Sequence, residues 1–274
     1  MEWEDRNYYP LIMTKDDDEP MPTDSLTHIR VVLVEPAGAL NVGSVARVMK
    51  NMGLSKLVLV KPQCDRLGQE ARLMAVRAAD VLESAREVQT LAEALQGCVK
   101  AIATSGRDRA TFTTPIETPR LALPWLLDAP SALIFGREDS GLTNAEMNHA
   151  QRLIQIPSTD AYPSLNLAQA VAICCYELST ARASKFPTGI VPIDLPTYLP
   201  SSPPLHLAPL DDLEGYYRQL ESLLLEIGYL YPDTAPSRME KFRKLLNRAY
   251  PTTSEVAMLR GILRQVAWAL KSRP

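Results

Sequence analysis

Three short stretches of this 274-residue chain hold residue types that can do chemistry. Asn41 is followed six positions later by Arg47. Phe135-Gly136-Arg137-Glu138, with Asp139-Ser140-Gly141-Leu142 after it, closes an apolar run. Ser164-Leu165-Asn166-Leu167-Ala168 opens another. A guanidinium, a carboxylate, amides and a hydroxyl can orient a polar substrate and stabilise developing charge. Glycines beside them let a ligand approach backbone N–H and C=O groups. Charge packed this densely at the end of a buried strand is not something folding requires. The set points to an enzyme that binds a small cofactor through backbone groups rather than to a scaffold.

A fourth stretch, Thr104-Ser105-Gly106, ends the run 99–104 in small residues, again at a strand's carboxyl edge, where open α/β sheets place ligands. The loop 38–44 invites a phosphate-loop reading through Gly38 and Gly43. However, Ser44-Val45 stands where Lys-Ser/Thr is needed, and Leu40 fills the second glycine slot of a dinucleotide fingerprint. Four cysteines without C-x-x-C spacing and three scattered histidines predict no metal site, and the thiols read as buried and reduced. On the helix after the loop, Val42, Val45, Met49 and Met52 form the inward stripe, so Arg47 lies off the core face. Asn41 is placed to cap that helix, and Ser164 to cap the helix it opens. Asn166 and Gln169 interrupt an otherwise apolar helix, and a buried Asn there needs partners, some of which a bound ligand would supply.

These residues must be carried by alternating strands and helices. Runs of Val, Leu and Ile predict strands at 30–35, 56–61, 87–88, 99–104, 132–136 and 153–157. Helices are predicted at 41–53, near 69–79, after the capping box Thr90-Leu91-Ala92-Glu93, after the box Thr143-Asn144-Ala145-Glu146, and at 164–185. Such alternation means an α/β fold with a parallel sheet covered on both faces. Prolines cluster between 187 and 209 and read as a stiff linker, with three further helices at 211–228, 238–249 and 254–271. The expected organisation is an acidic tail without order at 1–27, a catalytic domain at 28–185, a linker at 186–210 and a helical module at 211–274.

The formal charge of −3 is unevenly spread. Residues 1–27 hold eight acidic and two basic side chains, and residues 236–274 hold nine basic and two acidic ones. Local fields decide what docks where, so the basic end can take phosphates. No apolar run long enough to span a membrane is present, and the N-terminus does not read as a secretory signal, so the expected location is cytoplasmic.

Taken together, Asn41…Arg47, Phe135-Gly136-Arg137-Glu138…Gly141-Leu142 and Ser164-Leu165-Asn166-Leu167-Ala168 resemble the three motifs of the SPOUT superfamily of RNA 2′-O-methyltransferases. The tail, with Lys241-Phe242-Arg243-Lys244-Leu245 and Leu259-Arg260-Gly261-Ile262-Leu263, is similar to that of the TrmJ-type tRNA methyltransferases, so the resemblance runs from about residue 28 to the C-terminus. It implies a parallel sheet with a C-terminal trefoil knot, a homodimer, and S-adenosyl-L-methionine held by Thr104, Ser105, Gly106, Gly136, Ile156, Ser164 and Leu165. Where many relatives have a small polar residue, this chain has Pro163, which has no N–H to donate. The resemblance also implies a catalytic group of Arg47, Asn41, Glu138 and Ser164, with Asn41 holding its loop and Glu138 and Ser164 supporting Arg47 or the substrate hydroxyl. The implied substrate is tRNA, at the pyrimidine ribose of anticodon-loop position 32, with the basic module docking it. The rival readings are a related enzyme acting on ribosomal RNA, a non-catalytic RNA-binding member, and a nucleotide-binding or dehydrogenase-like α/β enzyme.

Overall fold

The computed structural model describes residues 26–106, 115–159, 161, 164–185 and 207–272. The expectations for most of the acidic tail, for Pro163 and for the proline-rich stretch up to 206 lie outside the described residues. Seven strands form one sheet: β1 (Ile29–Val34), β2 (Lys56–Val60), β3 (Arg86–Val88), β4 (Lys100–Thr104), β5 (Ile116–Glu117), β6 (Ser131–Phe135) and β7 (Arg152–Ile154). Their order is β3-β2-β1-β6-β4-β7-β5, and every pairing is parallel. Side chains alternate between two cores. Ile29, Val31 and Leu33 of β1 face one, and Val32 and Val34 face the other. Continuous apolar strands are what a sheet covered on both faces requires.

The first core is closed by α1 (Ala39–Asn51), α2 (Gln69–Ala75), α3 (Ala79–Glu83), α5 (Pro119–Ala122), a 3₁₀ turn at Leu123–Leu126, and α7 (Leu167–Lys185). Val42, Val45 and Met49 are its α1 contribution, as the predicted stripe has them, and Arg47 is exposed. Gly43 is explained here. A Cβ on it would lie 2.1 Å from the Ala71 carbonyl oxygen, so this glycine lets α1 and α2 pack closely and is not part of a phosphate loop. The helix predicted near 69–79 is two helices, because Val76 turns the chain at φ 52 and α3 starts afresh at Ala79. The short β5 and α5 have too few residues for a readable period.

The second core is covered by α4 (Leu91–Ala94), α6 (Asn144–Met147) and the C-terminal helices α8 (Leu210–Glu226), α9 (Ala235–Ala249) and α10 (Thr253–Lys271). Leu210, Leu213, Tyr217, Met239 and Val256 share that core with Val32, Val58, Ile134 and Leu153. The helical module is therefore seated directly on the sheet. Full burial of each such side chain contributes roughly 1.5–3 kcal/mol. Cys98, Cys174 and Cys175 are buried and Cys64 half-buried, all of them free thiols. Burial pushes the Cys175 thiol up to about 12, out of reach of nucleophilic chemistry at neutral pH.

Candidate functional site

The strands β6, β4 and β7 are neighbours in the sheet, and their carboxyl ends, with the start of α7, enclose a cleft of about 220 Å³. One water needs only about 10–15 Å³, so the cleft admits a small organic molecule. Thr104, Ser105, Gly106, Gly136, Ile156, Ser164 and Leu165, the predicted cofactor residues, all line it, as does Glu138. Parallel pairing brings together loops far apart in sequence at the edge where open sheets bind ligands.

Each wall has its own support. The Thr104 hydroxyl donates to the Ile134 carbonyl (3.1 Å), and the Ser105 N–H donates to the Ile154 carbonyl (2.8 Å), which locks the β4 end between its two neighbours. Among the described residues a Cβ on Gly106 would meet nothing within 4 Å, so they leave this position open to a ligand. Gly136 is the opposite case. Its Cβ would lie 2.2 Å from the Gly141 carbonyl carbon and 2.3 Å from the Leu142 nitrogen, so glycine alone lets the 137–142 loop fold back on β6.

Arg137 pins that loop. Its Nε donates to Glu35 (2.9 Å), and its two terminal nitrogens donate to the Glu146 carboxylate (3.0 and 2.9 Å). Hydrogen bonds to Glu146 and Glu35 hold the guanidinium even more firmly protonated than usual. Glu146 also completes the capping box with Thr143 that was read from the sequence. At Thr90 only half the predicted box forms: its side chain accepts from the Glu93 N–H, while the Glu93 carboxylate reaches back to the Gln89 N–H.

Glu138 takes three donors: the N–H groups of Ala37 and Gly38 (3.1 Å each) and Asn41 Nδ2 (3.0 Å). Burial by itself would raise its carboxyl. The bonds from Ala37, Asn41 and Gly38 outweigh that and hold it below the usual carboxylate range. Asn41 Oδ1 in turn accepts from Asn166 Nδ2 (3.0 Å), and Asn166 Oδ1 accepts from the Ala168 N–H (2.9 Å). One hydrogen-bond chain, Glu138–Asn41–Asn166, thus joins the three motifs within a single protomer.

Three expectations are corrected. Ser164 does not cap α7: the helix begins at Leu167 with Asn166 as its cap, because Asn166 Oδ1 reaches the Ala168 N–H, and Ser164 instead faces the cleft. Asn166 is exposed rather than buried, and Asn41 and Ala168 are its partners. Asn41 is not an N-cap, since α1 starts two residues earlier at Ala39 and the Asn41 side chain is spent on Glu138 and Asn166. Glu138 makes no hydrogen bond or ion pair with Arg47; its carboxylate holds Asn41 and the loop that leads into α1. Arg47 lies outside the cleft wall and makes no hydrogen bond or ion pair among the described residues. The sequence reading also missed the Asn41–Asn166 tie and the Arg137–Glu146 clamp. The first links side chains 125 positions apart and the second side chains nine positions apart across a loop, and no periodicity connects either pair. Among the described residues no group of three metal-capable side chains exists, and no helix is long and apolar enough to cross a membrane.

This geometry has known counterparts. The family model described as SpoU rRNA Methylase family matches residues 28–176, and that of the tRNA methyltransferase TrmJ C-terminal domain matches residues 211–273. The chain is 41% identical over 245 residues to the tRNA (cytidine/uridine-2′-O-)-methyltransferase TrmJ of Pectobacterium atrosepticum, covering 88% of this chain and 97% of that protein. It is 40% identical to the tRNA (cytidine/uridine/adenosine-2′-O-)-methyltransferase TrmJ of Pseudomonas aeruginosa, covering 88% and 94%. The crystal structure of TrmJ from Z. mobilis ZM4 superposes with a TM-score of 0.75 at 31% identity, covering 87% of this chain and 98% of that one. Sheet, cleft and C-terminal helices together place this chain in the SpoU methylase family, as a member of its TrmJ group.

Proposed function

We propose that this protein transfers the methyl group of S-adenosyl-L-methionine to a ribose 2′-hydroxyl of tRNA, at the pyrimidine of anticodon-loop position 32. The observation that carries the reading is the Glu138–Asn41–Asn166 chain, which ties the loop before α1 to the 137–142 and 164–166 loops that border the cleft. The chemistry of the cleft suits such a donor: among the described residues Gly106 leaves a backbone face uncovered, and strand-end backbone groups surround it. When bound, the donor supplies an electrophilic methyl on a sulfonium. The protein's task is to hold the hydroxyl in line with it and to stabilise the charge that develops on the oxygen.

Arginine stays protonated in proteins and is a poor base. Arg47 is instead an electrostatic and orienting group, with its charge free for a ribose oxygen or the adjacent phosphate. Asn41 and Glu138 fix the turn that carries α1, and thereby Arg47. Ser164, at the cleft, offers a hydroxyl to the reacting ribose. Residues 28–185 form the catalytic part and 211–274 the tRNA-docking part, joined by 186–210, and 1–27 stand outside both family matches. The TrmJ-type C-terminal match favours tRNA over ribosomal RNA as the substrate. The enzyme acts in the cytoplasm as a homodimer with the family's trefoil knot. Tyr176 on α7 and Leu40 on α1 are exposed apolar side chains suited to a subunit contact.

Incubating the protein with labelled donor and total cellular RNA, tRNA and ribosomal RNA both present, then mapping 2′-O-methylation, tests this directly. Methyl transfer to position 32 is expected, with calorimetry showing S-adenosylhomocysteine bound and NAD and ATP not bound. Methylation of ribosomal RNA alone, or binding of NAD in place of S-adenosylhomocysteine, overturns the reading.

A further inference from the structure

The turn between α6 and β7 stands behind the cleft, between residues that line it. At one end Met147 lines the cleft, and at the other, past β7, so do Gln155 and Ile156. Between them the Gln151 side chain clamps β4, accepting from the Ala101 N–H (2.7 Å) and donating to the Val99 carbonyl (2.9 Å). The intervening turn is gripped by the C-terminal helices. Asn247 of α9, only 8% exposed, donates from Nδ2 to the carbonyls of Asn148 (3.0 Å) and Ala150 (3.3 Å), and its Oδ1 accepts from the Tyr217 hydroxyl of α8 (3.3 Å). Beside it Arg243 makes a two-pronged pair with Glu214 (2.7 and 2.8 Å), tying α9 to α8.

A buried amide on α9 with three partners on two other elements is a strut: all its groups are satisfied only when α8, α9 and the 148–150 turn sit in one relative position. On the same helix Lys244 stands one turn before Asn247 and Arg248 directly follows it, both within the basic C-terminal segment. Met147, Asn148, Gln151, Asn247, Lys244 and Arg248 also share one small crevice, so the cofactor wall, the strut and the basic side chains are in direct succession.

We propose that Asn247 is a positioning residue for the methyl-donor cleft, and that through it the seating of the C-terminal module couples tRNA docking to cofactor binding. This inference rests on the function proposed above. RNA that draws α9 toward its phosphates shifts or stiffens the 148–150 turn and, with it, the flanking Met147 and Gln155–Ile156 that line the cleft, and by linkage a bound cofactor must then favour RNA by the same factor.

The experiment measures the dissociation constant of S-adenosylhomocysteine with and without saturating total tRNA, for the wild-type protein, Asn247→Asp and Asn247→Ala. Asn247→Asp has the same shape but presents acceptors to two carbonyls. In the wild type the two constants should differ by at least about fivefold, the low end of ordinary coupling. Asn247→Asp should bring the ratio close to one and weaken cofactor binding, while tRNA affinity measured without cofactor is unchanged. A strut that served stability alone would lower the melting temperature and leave the ratio intact. Hydrogen exchange on the unaltered protein provides a reading independent of whether the variants fold: tRNA alone should slow exchange of the amides at 147–156. The inference is overturned if folded Asn247→Asp keeps the wild-type ratio, or if tRNA leaves exchange at 147–156 unchanged. If the wild type does not bind S-adenosylhomocysteine at all, it is the proposed function that fails.

Discussion

Glu138, Arg137 and Arg47 show how three ionic side chains in neighbouring motifs divide the work. Arg137 and Glu138 are spent on the architecture of the loops, each satisfied by three or more bonds, whereas Arg47 is exposed with its charge unspent. Arg47→Ala should therefore reduce methyl transfer by two or more orders of magnitude, about what losing one charge-stabilising donor costs. S-adenosylhomocysteine affinity and melting temperature should stay near wild type, and single-turnover kinetics beside calorimetry would check this. Glu138→Ala should instead lower both cofactor affinity and stability, the latter by about 1–3 kcal/mol, because the Ala37 and Gly38 N–H groups lose their acceptor. The pH dependence follows the sign of the Glu138 shift. Its folded carboxyl lies below the unfolded value, so its contribution is fully present above the unfolded pKa and is lost as pH falls through the folded one. Acid titration monitored by cofactor binding should show the loss below the ordinary carboxylate range, and Glu138→Gln should remove that step.

Among the elements, the loop from β6 to α6 is the most tightly specified. Gly136 allows it to turn back, Arg137 clamps it and the Thr143–Glu146 box ends it at a helix. Gly136→Ala puts a methyl group within 2.2 Å of the Gly141 carbonyl carbon, closer than backbone can tolerate. It should destabilise the fold by roughly 1–3 kcal/mol through overpacking and abolish measurable S-adenosylhomocysteine binding. Gly106→Ala, whose added methyl meets nothing among the described residues, should leave the melting temperature unchanged and weaken only the cofactor. Thermal melts paired with calorimetry on the two variants separate a glycine needed by the chain from one that leaves room for a ligand.

For the whole molecule, the C-terminal helices are both a cover for the sheet and a bearer of positive charge. Removing 210–274 would uncover Val32, Val58, Ile134 and Leu153, so truncation cannot isolate an RNA-binding role. Charge reversal can: Lys241 and Arg248 are exposed on α9, clear of the second core. Lys241→Glu with Arg248→Glu should weaken tRNA binding and flatten the plot of log affinity against log salt by about 0.7–0.9 for each phosphate the protein no longer neutralises. Cofactor affinity without tRNA should not change. An unaltered salt slope in a titration series would remove α9 from the RNA interface.

The alternation of apolar runs and helical stripes was enough to read a parallel sheet covered on both faces, the inward stripe of α1 and the three chemical motifs. Those are local patterns, set by the period of each element and by where glycines and charges interrupt it. What tertiary structure decided is the pairing. The order β6-β4-β7 makes neighbours of residues 104, 136 and 156, and Asn166 finds Asn41 across 125 positions. No sequence period records such a pairing, because it depends on strand order. The same is true of the seat that α8–α10 take on the sheet. Their apolar faces were legible, but which surface they cover was fixed only when the second face of the sheet had to be buried.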